Sequence, residues 1–371
     1  MPAGSRSSLS STTSWITIRR RSQRSPSRTG PTCITRSVAR TASASRSSSD
    51  HSPTSRRVAV GRSGKARRVD LEPDRRSLLS LAAVAAFAGG AKAAPRCSIP
   101  AAPLTTYPPA PPLAGKQAVV RANGAALWVC DTGGTGLPII LLHPFTGSGH
   151  VWGYQQQAFV AAGWRVISYS RRGYRGSDPI GAGGAGTDAA DLAALLDVLT
   201  VAKCHLVASA GGGFVAADFA VAQPHRAASL TIACSILGAK GGEFDRLQRA
   251  LADPAIAALP AYLRELSPSY RATNPDGVRA WRDLSDSAHV GGRPPPPSAG
   301  ITRERLAALS MPRLLIGGDA DMIAPPPFLR LFAGWMAGSR LRILPEGGHS
   351  LYWERPDLFN AEVLDFLPRH G

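Results

Sequence analysis

His205-Leu-Val-Ala-Ser-Ala-Gly-Gly-Gly-Phe-Val-Ala216 is the stretch from which the fold is read. Cys204 to Val207 has the apolar character of a buried strand, small residues follow, and a helix is expected from Phe214 onward. A strand that turns sharply through small residues into a helix is where a G-x-S-x-G turn presents a nucleophile. At the centre of that pattern stands Ala210, and the neighbouring hydroxyl, Ser209, comes one residue early.

Strand and helix patterns alternate on both sides of this stretch. Gln117–Arg121 and Ala126–Cys130 read as a hairpin around Asn123-Gly124. Pro138–Leu142, Arg165–Tyr169, Ser229–Cys234, Arg313–Gly317 and Leu341–Leu344 are short apolar runs of the kind buried parallel strands show. Helical patterns cover Trp152–Ala162, Asp188–Leu199 and Pro356–Leu367. This predicts an α/β fold, a doubly wound, mostly parallel eight-stranded sheet. Residues 114–237 and 306–371 form its core. Between them, residues 238–305 read as a helical cap, with helices expected over Phe244–Leu259, Ala261–Leu266 and Asp276–Ser285 and a proline run at 294–297. Ligands of such sheets bind at the carboxyl edge of the strands.

Five motifs fall in order at expected strand ends. They are His143-Pro-Phe-Thr-Gly-Ser148, Arg171-Arg-Gly-Tyr-Arg-Gly-Ser177, the turn at 207–213, Gly317-Gly-Asp-Ala-Asp-Met-Ile-Ala-Pro325 and Pro345-Glu-Gly-Gly-His-Ser-Leu-Tyr-Trp353. From Gly136 to the C-terminus the chain resembles the α/β-hydrolase family. The resemblance implies His349 as catalytic base and Asp321 as its acid partner, the order of acid and histidine matching the family's. Asp319 competes with Asp321, which is preferred because Asp-Met-Ile-Ala-Pro matches the family's D-x-x-x-P run. The same resemblance puts Ala210 at the nucleophile position and makes the backbone N–H groups of Phe145 and Gly211 an oxyanion hole. His143 is expected to line the pocket; Trp353 is read first as a packing residue, with a place in the pocket beside His349 left open.

An alanine at that position leaves three readings open. In the first, preferred, the His349–Asp321 pair activates water or takes a proton from an acidic substrate while two N–H groups hold the oxyanion. Lyase or cofactor-free oxygenase chemistry falls within it. In the second, Ser209 is a displaced nucleophile, which puts bulky Val207 where the family has a small residue. In the third, the pocket only binds a ligand, and the acid and base are left without a task. The expected substrate is a small carbonyl compound: an ester, a lactone or an acidic ketone. No dinucleotide fingerprint, phosphate loop or metal-ligand spacing occurs, so neither cofactor nor metal is expected.

The net charge of +18 is uneven. Residues 1–76 hold 17 of the 43 Lys and Arg but only 4 of the 25 Asp and Glu. This Ser/Arg-rich leader has too little apolar character to bury a core, and no nucleic-acid partner is inferred from it. Arg75-Arg76, the apolar run Leu81–Ala88 and the Ala91-Lys-Ala93 site resemble a Tat-type export signal over residues 69–93. The run is too short to span a bilayer. Translation is expected to start near Val69 or Leu71, residues 1–68 preceding the true start. Cleavage after Ala93 leaves 278 of the 371 residues, enough for one sizeable domain, led in by a Pro/Ala-rich stretch at 94–113. The expected location is periplasmic or secreted. Export permits disulfides and leaves a Cys97–Cys130 bridge open. The oligomeric state is not readable.

Overall fold

The computed structural model describes residues 105–181, 186–292 and 297–367. The basic leader, the export segment, Cys97 and most of the 294–297 proline run lie outside them.

β1 (Lys116–Ala122) and β2 (Ala125–Asp131) pair antiparallel. Asn123 and Gly124, both at positive φ (46° and 76°), form their two-residue turn, whose twist matches that of the strands. β3 (Ile139–Leu142), β4 (Val166–Tyr169), β5 (Cys204–Ser209) and β6 (Ala227–Ala233) are buried along their whole length. β7 (Arg313–Gly318) and β8 (Arg340–Leu344) complete an eight-stranded sheet ordered β1-β2-β4-β3-β5-β6-β7-β8. β3 to β8 pair in parallel, and β2 runs antiparallel to β4.

Continuous apolar strands are possible because helices cover both faces. Ile139, Leu141 and Val207 pack with Phe159 of α1 (Gly153–Ala161). Ile140, Leu142 and Ala208 pack on the other face with Leu192 of α2 (Asp188–Val198) and Phe219 of α3 (Gly211–Ala222). Successive residues of a strand thus feed opposite cores.

The β6–β7 connection carries α4 (Gly242–Leu251), α5 (Pro254–Ala257), α6 (Ala261–Glu265), α7 (Pro268–Thr273), α8 (Pro275–Asp286) and α9 (Arg303–Ala307). The single helix expected over Phe244–Leu259 is two. Pro254 drives the residues before it out of helical geometry, Ala252 is extended, and the Asp253 carboxylate caps α5 at the Ala255 N–H (2.8 Å). After β7 comes α10 (Pro326–Trp335), and after β8 come α11 (Leu351–Glu354) and α12 (Pro356–Phe366). Phe359 and Val363 of α12 join the α1 side of the core. Cys130 is a free, buried thiol that donates to Gln156 Oε1 at 3.7 Å, as Cys204 and Cys234 are free and buried.

Candidate active site

β5 runs to Ser209 and α3 begins at Gly211, so Ala210 alone makes the turn. The helix starts three residues earlier than its apolar pattern does. The glycines are drawn into it by contact, since a Cβ on Gly212 would lie 2.0 Å from the Leu142 carbonyl oxygen at the end of β3. Ala210 sits at φ 48°, ψ −113°, a backbone geometry that costs a non-glycine residue about 1–3 kcal/mol. Its N–H donates to Ala233 O at the end of β6 (2.9 Å), and its carbonyl accepts the hydroxyl of Ser235 just beyond that strand (2.7 Å), so the turn is held on both sides. Ser209 is still in the strand and fully buried, and its Oγ has no hydrogen-bond partner.

His349 and Asp321 come together from the loops after β8 and β7. The imidazole Nδ1 stands 3.0 Å from both carboxylate oxygens. Asp321 also accepts the Ile323 and Ala324 N–H groups at 2.8 Å each. Its burial opposes ionisation, yet His349 and these N–H groups outweigh that and keep the carboxyl below its usual range. Burial likewise pulls the His349 imidazole down, and the Asp321 carboxylate overrides it, so the net shift is upward. Nδ1 therefore carries the proton that faces Asp321, and no described residue bonds Nε2. Asp319 is exposed and takes no part.

Phe145 lies across the α3 N-terminus, for a Cβ on Gly211 would meet its ring at 2.6 Å. Among the described residues nothing accepts a hydrogen bond from the N–H of Phe145 or of Gly211. The loop is gripped from three sides. His289 bonds the Phe145 carbonyl (2.7 Å), Thr146 donates to Glu265 Oε2 (2.8 Å), and Arg171 donates to the carbonyls of His143 (3.1 Å) and Pro144 (3.3 Å).

The structure places both residues named for the pocket in the interior. His143 is fully buried, its Nε2 accepting the Arg171 N–H (3.2 Å) and its ring set edge-on to Tyr174. Burial, reinforced by the Arg171 charge, holds its pKa well below the ordinary imidazole value. It props the loop that carries Phe145. Trp353 is also buried, bonded to Gly277 O (3.3 Å) and packed on Tyr154, because α11 turns it toward the α1 side of the core.

Arg171 and Glu265 were not anticipated as site residues. Arg171 is buried, paired with Asp188 at 3.1 Å and stacked over Phe145 and Tyr174. Glu265 Oε2 also accepts the Ser350 hydroxyl at 3.1 Å, so one carboxylate ties the Phe145 loop to the His349 loop. Its signal in the sequence is nil: Leu-Arg-Glu-Leu reads as any amphipathic turn. Among the described residues, no group of three His, Cys, Asp or Glu is placed to hold a metal, and no helix is long and apolar enough to cross a membrane.

A model of the alpha/beta hydrolase family matches residues 139–362, taking in every one of these loops. The chain belongs to this family. As a family member it is an enzyme of the hydrolase class. It is similar to a 2-hydroxy-6-oxononadienedioate/2-hydroxy-6-oxononatrienedioate hydrolase of Paraburkholderia xenovorans, 28% identical, over 64% of this chain and 89% of that protein. Among solved structures it is similar to a thermophilic esterase from Thermogutta terrifontis, with 25% identity and a TM-score of 0.56 over 69% of this chain and all of that one. It is equally similar to Est816, described as an N-acyl homoserine lactone degrading enzyme, with 25% identity and a TM-score of 0.56 over 67% of this chain and all of that one.

Proposed function

We propose that this alpha/beta hydrolase acts on a small carbonyl compound through the His349–Asp321 pair and a backbone oxyanion hole, without a serine nucleophile. The observation that carries the reading is the turn itself. Ala210 has the strained geometry that presents a nucleophile, while the Ser209 hydroxyl is sealed in the strand. His349 Nε2 takes a proton from water attacking the carbonyl carbon, or from an acidic group of the substrate. Asp321 holds the other ring nitrogen and stabilises the imidazolium. The N–H groups of Phe145 and Gly211 receive the charge on the carbonyl oxygen, where preorganised donors contribute most. In hydrolysis the imidazolium then returns its proton to the leaving group. The similar proteins' names, an ester, a lactone and an oxo-acid hydrolase, support the carbonyl class. Helices α4 to α9 serve as the cap over this edge.

A fluorophosphonate probe followed by peptide mapping tests the absence of a nucleophile. No label at Ser209 is expected. On a panel of esters, lactones and oxo acids, Ser209→Ala keeps its turnover and His349→Ala loses about 10²–10⁴-fold. Labelling of Ser209, with turnover abolished in Ser209→Ala, would establish the displaced nucleophile instead. Export through the Arg75-Arg76 signal is part of the proposal. A secreted product beginning at Ala94 is expected, and residues 1–68 recovered in the native precursor would contradict the late start.

A further inference from the structure

A cleft of about 400 Å³ lies between the β6–β7 segment and the loop after Asp321. Leu251, Ile256, Met322, Ile323 and Phe328 make it largely apolar. It shares chain with the site on three sides. Ile323 follows Asp321 closely and donates its N–H to that carboxylate (2.8 Å). Ile236, also in the wall, follows Ser235, which bonds the Ala210 carbonyl at 2.7 Å. Arg264 lines the cleft and immediately precedes Glu265, which ties the Phe145 and His349 loops together.

Arg264 is the unusual member of this wall. Its Nε is buried without a hydrogen-bond partner. Among the described residues its guanidinium makes neither an ion pair nor a side-chain hydrogen bond. A guanidinium has five donors and cannot shed its charge, and a buried donor left unmade is destabilising. Other arginines around the site are fully engaged, Arg171 with Asp188 and Arg172 with Asp191. A planar cationic fork in an apolar cleft matches a carboxylate on an apolar body. The other polar residues of the wall are Gln248 and Asp253, and the Asp253 carboxylate is already used at the Ala255 N–H. Burial raises the pKa of the adjacent Glu265 carboxyl and the Arg264 charge acts to lower it, and a cation with carboxylates nearby suits a monoanion better than a dianionic phosphate ester.

We propose that Arg264 anchors a carboxylate and that the cleft selects apolar monocarboxylates whose carbonyl group reaches His349. The assignment of the occupant as substrate rests on the proposed reaction, but its binding does not. Calorimetric titration of the full chain with 4-phenylbutyrate and with its neutral isostere 4-phenylbutyramide tests it. The carboxylate is expected to bind about tenfold or more tighter, as a charge-assisted hydrogen bond gives. Arg264→Gln should bring the two within about twofold without changing amide affinity. Leu251→Trp, at the exposed rim, should weaken both ligands while leaving the charge in place. Equal affinities in the wild type, a preference that survives Arg264→Gln, or no binding of the carboxylate at millimolar concentration would each overturn the anchor. A carboxylate preference that depends on Arg264, with no His349-dependent turnover of any carbonyl compound, would sustain the anchor and sink the reaction. His349-dependent turnover indifferent to Arg264 and to ligand charge would do the reverse.

Discussion

Ala210 carries the backbone strain of the turn between β5 and α3 and has no hydroxyl. In the proposed reaction His349 is the group whose proton affinity matters, and Asp321 is what sets it. A base must be neutral to act. Because the Asp321 carboxylate raises the His349 pKa above the ordinary 6.5, kcat/KM is expected to rise with pH through a midpoint above that value. Asp321→Asn removes the opposing charge. Its acid limb should move to lower pH, while the rate on the plateau falls about 10²–10⁴-fold. An acid limb that stays in place in the pH–rate profile would point to a different titrating group. The pairing was legible at this scale, from Asp-Met-Ile-Ala-Pro and Gly-Gly-His. The burial of His143 and Trp353 was not, because a single residue's letter does not say which way its element turns it.

The α3 N-terminus and the end of β3 are fitted to one another at backbone distance. Gly212 faces the Leu142 carbonyl oxygen so closely that a Cβ would overlap it at 2.0 Å. Neither partner is the flexible end of a side chain, so Gly212→Ala must push the helix from the sheet. A loss of about 3 kcal/mol is expected, at the upper end of overpacking costs, read as a lower urea midpoint at unchanged slope. Stability within about 0.5 kcal/mol of wild type would mean that the turn yields easily. Strands and helices were largely legible as elements, since each apolar run became a strand. Helix starts were less so. The glycine run looked like a loop because glycine disfavours helix interiors, and contact with β3 overrode that preference.

Across the molecule, carboxyl groups are buried together where the β7 and β8 loops meet the β6–β7 helices. Glu354 is fully buried and accepts the Ser267 N–H at 2.7 Å. Burial pushes its pKa from 4.5 up to about 7. A carboxyl raised on folding stabilises most below its unfolded pKa and loses that contribution as pH rises through the folded one. For Glu354 the loss spans about pH 4.5 to 7 and is of order 3 kcal/mol. Glu354→Gln keeps an acceptor and removes the titration. The Tm difference, variant minus wild type, should therefore become more positive between pH 5 and pH 8. A difference flat in pH would show that Glu354 folds with an ordinary pKa.

The sequence by itself determined the layers of this protein, because strand and helix follow from apolar periodicity within a few neighbouring residues. It also determined the pairing of Asp321 with His349, because each lies in a motif anchored to the end of its own strand. Only the tertiary structure decided that Ser209 is sealed, that Arg171 and Glu265 hold the Phe145 loop, and that Arg264 faces a cleft unpaired. Those facts depend on contacts between residues far apart in the chain. Burial and charge compensation are properties of the surroundings that packing creates, and no local pattern encodes them.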